Sequence, residues 1–150
     1  MRRRELLVAA TAAVLVRPAA AVAAADGTAD ILRRLIALED AAAVAYRGAA
    51  LSAVPGIAGH EADHAKALRT DIEALGGRAP NAPAGGAPVA GLDAAIALEA
   101  DLIAAYRKAL AELDEPGLLP TVATILASHA QHHTLLLRAA GRDPFTRVPH

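Results

Sequence analysis

The chain has no cysteine and no tryptophan, and its aromatic share is 2%. Without thiols there can be no disulfide, no thiolate metal site and no cysteine nucleophile, which closes the zinc-finger and iron–sulfur readings. Any metal must be held by Glu, Asp and His, a donor set that suits iron, manganese, zinc or copper. Apolar residues nevertheless make up 55% of the chain, and alanine supplies much of that share. Alanine is the best helix former and fills little space, so the composition predicts slim, closely packed helices. No segment alternates β-branched and polar residues as a strand would, and the class is all-α. Without strands there is no glycine-rich phosphate loop, and Ser52 and Ser128 sit in no nucleophile elbow. A length of 150 residues is that of one domain with a single core.

The first residues carry an export pattern. Arg2, Arg3 and Arg4 form a basic start, Leu6 to Val16 an apolar run, and the alanines from Ala19 to Ala25 offer several cleavage sites. The run is about 11 residues, well short of the roughly 20 that span a bilayer. The order Arg3-Arg4-Glu5-Leu6-Leu7 resembles a twin-arginine signal, which sends folded proteins across the membrane. The chain therefore divides into a leader over residues 1–25 and a domain over residues 26–150. The expected location is periplasmic or otherwise extracytoplasmic, with no transmembrane segment after leader cleavage. Cleavage removes four arginines and Glu5, so 15 basic and 16 acidic residues become 11 and 15, a net charge of −4. A mildly acidic domain without a basic patch argues against nucleic acid and anionic membrane surfaces as partners.

Capping and breaking residues mark four helices. The first is expected over residues 28–51, capped by Thr28 or Asp30 and ended by the Pro55-Gly56 turn. The second covers residues 57–75 and stops at Gly76-Gly77. The third, residues 92–113, has Asp93 in its first turn. The fourth, residues 118–140, tolerates Pro120 near its start and ends before Gly141. Residues 142–150 read as a loose tail. Two of the connections are short. The third, from Gly76 to Gly91, is rich in proline and glycine and could extend about 50 Å, enough to return along helices of about 30 Å. Two antiparallel hairpins joined by a long crossover result, because one hairpin alone could not bury its apolar stripe.

The two hairpins repeat each other. Ile36-Ala37-Leu38-Glu39 followed by Tyr46-Arg47 returns as Ile96-Ala97-Leu98-Glu99 followed by Tyr106-Arg107. A histidine-rich segment follows each copy: His60-Glu61-Ala62-Asp63-His64, then His129-Ala130-Gln131-His132-His133. Helical spacing puts Glu39 on one stripe with Leu32, Leu35, Ala42 and Tyr46, and Glu99 with Leu92, Ile96, Leu102 and Tyr106. Glu61 and His64 share a face with Ile57, Leu68 and Ile72, while His129 and His132 share one with Val122, Ile125 and Leu136. An unpaired buried carboxylate is costly and either neutralises or finds a cation. Of the second histidine group His132 is the best placed inward and His133 the poorest. His60 and His133 are candidates for outer partners that orient a ligand. Tyr46 and Tyr106 should fill core space and hydrogen-bond near the site, with Arg47 and Arg107 facing solvent or Asp/Glu neighbours.

On these motifs the chain resembles the ferritin-like superfamily, and within it exported bacterial ferritin-like proteins with a twin-arginine leader. The resemblance covers about residues 28–141. It implies a ferritin-like four-helix bundle whose site takes one Glu from each of two helices and a Glu-x-x-His pair from each of the others. Glu39 and Glu99 match the single glutamates, and Glu61 with His64 matches the first pair. The second pair falls on His129 and His132, where histidine replaces a glutamate that bridges two metals in the family. The implied function is binding of one or two transition-metal ions, iron first, then manganese, zinc or copper, for Fe(II) or Mn(II) oxidation or peroxide handling. The rival is a metal-free bundle with a structural or partner-binding role in the envelope. A homodimer is left open.

Loop lengths also set register. In the second hairpin they place Glu99 opposite His132. In the first they place Glu39 opposite residues 66–69, leaving His64 about 3 to 8 Å away along the axis and Tyr46 level with Glu61. The first half of the site is therefore expected to be open, or limited to His64.

Overall fold

The protein's structure, a computed structural model, describes residues 19–49 and 51–145. Four helices follow in order: α1 (Ala19–Arg47), α2 (Ile57–Ala74), α3 (Leu92–Glu112) and α4 (Leu119–Ala139). All described regular structure is helical, in agreement with the all-α expectation. The last three helices lie within a residue of their expected limits. The first departs further. It starts at Ala19 rather than at a Thr28 or Asp30 cap, because the alanines of residues 19–25 favour helix strongly enough to carry it through Asp26 and Gly27. It stops at Arg47, four residues early, where Gly48 lies against Pro88. The basic start and apolar run of the expected leader lie outside the described residues. No helix among the described residues is long and apolar enough to cross a membrane.

Two helix ends carry the glycine signals the sequence offered. After α2, Gly76 adopts φ +76°, its N–H donates to the Glu73 carbonyl, and Gly77 N–H donates to the Ile72 carbonyl. After α4, Gly141 adopts φ +69°, with the same bonds to Arg138 and, from Arg142, to Leu137. This left-handed closure satisfies carbonyls that the helix leaves unpaired. The expected loose tail is thereby tied down at its start, and Arg142 also donates to Asp93 of α3 at 2.5 Å. Residues 146–150 lie outside the described residues.

α1 packs on α2 and α3 on α4 as antiparallel hairpins. The long connection runs along α1 in the same direction as that helix. Arg78 accepts a bond from Arg33, Gly86 abuts Val44, and the Val89 N–H donates to the Ala45 carbonyl. α3 therefore begins beside the end of α1 and runs antiparallel to it, with Arg34 of α1 reaching Glu112 at the end of α3. This is the crossover topology of ferritin-like bundles.

The core comes in two apolar halves. One gathers Leu32, Ile36, Leu68, Ile72 and Val122 around Tyr106. The other gathers Ala42, Ile57, Ile96, Leu102 and Leu136 around Tyr46. Burying each Leu or Ile contributes about 1.5–3 kcal/mol, and these two clusters offset a polar layer held between them. A second polar contact pins the first hairpin and the crossover together. Arg69 of α2 donates to both oxygens of Asp40 on α1, at 3.0 and 2.5 Å, and also to the Pro80 carbonyl. Asp40 is 8% exposed, and that guanidinium is its side-chain partner. The Arg69→Met variant should lose about 1–3 kcal/mol of unfolding free energy, read as a lower urea midpoint. Adding Asp40→Asn to it should recover part of the loss, because no uncompensated charge then remains.

Candidate metal centre

The apolar stripes of α1 and α3 are each broken by one site residue, Glu39 and Glu99, and those of α2 and α4 by two, Glu61 with His64 and His129 with His132, all at one level of the bundle. Glu39, Glu61, Glu99 and His129 have no exposed surface, and His132 is 4% exposed. His64 is half-buried. All six expected site residues meet here. Two groups of ligand atoms lie within 4.8 Å of one another: Glu39, Glu61, His64 and His129 in one, and Glu61, Glu99, His129 and His132 in the other. Glu61 and His129 belong to both.

The outermost contacts are tyrosine hydroxyls, and they cross between the hairpins. Tyr46 of the first repeat donates to Glu99 Oε1 of the second at 2.7 Å. Tyr106 of the second donates to Glu39 Oε1 of the first at 2.5 Å. Between the two glutamates lies the His129 ring, with Nε2 2.9 Å from Glu39 Oε1 and Nδ1 3.0 Å from Glu99 Oε2. The residue that breaks the Glu-x-x-His pattern thus bridges the two single glutamates. Sequence reasoning ranked His132 ahead of it as the inward residue. In the structure His129 is the more deeply buried, because one ring can satisfy two carboxylates only from the centre.

The register expectation is corrected in the same way. Glu39 Oε2 lies 3.4 Å from His64 Nδ1, and His64 Nδ1 lies 3.1 Å from Glu61 Oε2, so the first half is closed, not open. Loop arithmetic places residues along an axis, but ligand atoms stand a side chain away from it. Glutamate and histidine side chains span the remaining offset. In the second half the expectation holds: His132 Nδ1 approaches Glu99 Oε1 at 3.7 Å and Glu61 Oε1 at 3.1 Å. The expected outer role divides between two residues. His60 Nδ1 sits 3.0 Å from His132 Nε2, whereas His133 is only partly buried, and Arg47 and Arg107 face solvent as expected.

Three carboxylates face three imidazoles in this layer. Burial alone would raise the Glu39 carboxyl, but hydrogen bonds from His129 and then His64 outweigh it and bring it down to about 2. Glu99 is lowered for the same reason, burial being overcome by His129 and His132. Burial likewise disfavours the charged imidazoles, yet Glu39 and Glu99 raise His129 to about 10, and Glu61 and Glu99 raise His132 to about 9. His64 is raised by Glu39 and Glu61 against its burial. Burial and the adjoining carboxylates push both tyrosine hydroxyls far up, so they remain hydrogen-bond donors.

Three buried atoms of this layer are left over, and a fourth, Asp71 Oδ2, lies farther along α2. Glu39 Oε2, Glu61 Oε1 and His132 Nδ1 have no hydrogen-bond partner. Glu61 Oε1 and His132 Nδ1 are 3.1 Å apart but not aligned as donor and acceptor. A carboxylate oxygen and an imidazole nitrogen this close, buried and not hydrogen-bonded, can share a cation once the imidazole gives up its proton, and carboxylate with imidazole is a donor set that transition metals accept. The residues present fit a metal ion.

Without metal, charge pairing sets the pH range of stability. The contribution of Glu39 is complete above about pH 4.5 and is lost as pH falls toward 2; that of His129 is complete below about pH 6.5 and is lost as pH rises toward 10. Metal-free protein should be most resistant to urea between about pH 4.5 and 6.5 and weaken on both sides. A midpoint that rises from pH 7 to 9 would contradict this.

Comparison with known proteins agrees with the fold. The ferritin-like domain family matches residues 38–142. A conserved hypothetical protein from Mycobacterium tuberculosis, known from its crystal structure, is similar at a TM-score of 0.64 and 22% identity, over 85% of this chain and 99% of that one. No curated protein matches the chain. The matched span takes in the last turns of α1 with Glu39, the crossover and all of α2, α3 and α4, and the chain belongs to the ferritin-like domain family.

Proposed function

We propose that this is an exported ferritin-like protein that binds one or two transition-metal ions, iron foremost, between Glu39, Glu61, His64, Glu99, His129 and His132. The observation that carries the reading is the set of unpartnered buried atoms, Glu39 Oε2, Glu61 Oε1 and His132 Nδ1, at the meeting point of four helices. A buried polar atom without a partner costs about 1–3 kcal/mol, and a cation bound on either side of Glu61 would offset that cost at these atoms. A bound iron or manganese ion would supply one-electron chemistry suited to Fe(II) or Mn(II) oxidation or to peroxide.

The chain's own residues then have separable tasks. Glu61, present in both ligand groups, faces one position with each oxygen. The tyrosine hydroxyls each occupy one carboxylate oxygen of Glu39 or Glu99 and so fix the direction of the other. His60 holds the outer nitrogen of His132, which leaves Nδ1 directed inward. The two apolar halves exclude water from above and below. Support for export rests on the arginine cluster and short apolar run at the N-terminus.

A metal-free structural bundle is the second reading. It is favoured by the Glu39–His129–Glu99 chain, which satisfies two carboxylates without an ion. Titration with Fe(II) or Co(II) under anaerobic conditions separates the two. Metal binding should take up one or two equivalents and, near a hundredfold excess over Kd, add about 2.7 kcal/mol of stability, seen as a melting point higher by roughly 5–10 °C. Because His129 and His132 start protonated at pH 7, uptake should release about two protons per chain. Glu61→Ala should abolish uptake at both positions. No bound metal by elemental assay, with melting indifferent to added ions, establishes the structural reading instead.

A further inference from the structure

The two ligand groups share Glu61 and His129 but are not equally built. In the group of Glu61, Glu99, His129 and His132 every member is buried. His129 Nδ1 lies 3.0 Å from Glu99 Oε2 and 3.7 Å from Glu61 Oε2. His132 Nδ1 lies 3.1 Å from Glu61 Oε1 and 3.7 Å from Glu99 Oε1. Each ring thus turns one nitrogen toward both carboxylates. Four ligand atoms set tetrahedrally at about 2.0–2.1 Å from one ion stand about 3.3–3.4 Å apart, in the middle of the interval these separations cover.

Each of the four is also held from behind. His129 Nε2 meets Glu39 Oε1 at 2.9 Å, and His132 Nε2 meets His60 Nδ1 at 3.0 Å. Glu99 Oε1 accepts from the Tyr46 hydroxyl, and Glu61 Oε2 faces His64 Nδ1 at 3.1 Å. A partner on the far nitrogen is what fixes the ring of a metal-bound histidine. The group of Glu39, Glu61, His64 and His129 lacks this closure. His64 is half-buried, and His129 comes closest to Glu61 through Nδ1 but to Glu39 through Nε2. A neutral imidazole has one N–H and one lone pair. A ring that binds through Nδ1 therefore keeps its hydrogen on Nε2 and donates it to Glu39. A glutamate in the place of His129 could offer an oxygen to each side at once; the ring cannot.

The geometry points to a single-ion centre: Glu61, Glu99, His129 and His132 hold one divalent transition-metal ion in four-coordination, and Glu39 orients His129 from behind. The inference rests on the metal-binding reading above and narrows it to one ion. Glu39 and His64 then act as positioning residues and not as ligands.

The test is anaerobic titration of the metal-free full chain with Co(II), followed by visible absorption and by elemental assay after desalting. One equivalent should bind, with the intense visible bands of four-coordinate Co(II) in place of the weak bands of the six-coordinate ion. Glu39→Gln keeps an acceptor behind His129 without its charge. It should leave the stoichiometry at one and the bands in place while Kd rises about tenfold. His132→Gln removes a ligand and should abolish the intense bands. Two equivalents bound by the unsubstituted protein, six-coordinate bands, intense bands that survive His132→Gln, or an unchanged Kd in Glu39→Gln overturns the single-ion arrangement while the metal-binding reading stands. Failure of the unsubstituted protein to take up Co(II) overturns both.

Discussion

Like charges cannot share a dry interior unless positive charge meets them there, and the whole bundle is arranged around that constraint. Glu39, Glu61 and Glu99 come from three helices and have no exposed surface. They persist as a layer because His64, His129 and His132 stand among them and because two apolar clusters close the space on either side. If the imidazoles were removed, the carboxylates would have to take up protons or separate, and the four stripes would lose the reason for their common level.

The departure from internal symmetry has an electrostatic meaning. The repeat places Glu61 in one hairpin where it places His129 in the other. With glutamate at both, four carboxylates would face two imidazoles, and the layer would be strongly anionic without an ion. With histidine at one, three face three. His129 can then hold Glu39 and Glu99 together by donating both of its ring N–H groups. Protons and metal compete for the same lone pairs in such a layer, so a cation must displace protons to enter. The substitution leaves a donor set able to bind metal and also makes the metal-free protein self-sufficient.

Most of the fold was legible because its signals are local. Gly76 and Gly141 mark helix ends through backbone conformation alone, and the fixed helical spacing of Glu39, Glu61, Glu99 and His129 was enough to turn them inward. The start of α1 was misread because Asp26-Gly27 and the good caps Thr28 and Asp30 signal a helix start, whereas the alanines before them carry the helix through. The closed first half of the site was not legible, since it depends on how far Glu39 and His64 reach across the bundle and not on how their helices are aligned. The central place of His129 was hidden for a similar reason: three histidines within five positions cannot be ranked without knowing what each would face. The exchange of tyrosines between hairpins, and the pairing of His60 with His132, join residues 53, 67 and 72 positions apart. No spacing rule reaches across such separations. The repeat itself was the available hint, since Tyr46 and Tyr106 recur at the same distance from their glutamates.

That exchange of tyrosines has a consequence for how the molecule is assembled. Neither hairpin contains a complete set of donors and acceptors: the phenol of each finds its acceptor only in the other. A half-molecule would carry an idle hydroxyl and an unsupported acid on the same apolar stripe, at the face where it most needs to be greasy. The halves are thus complements in spite of their likeness, since each supplies the donor that the other's buried acid accepts.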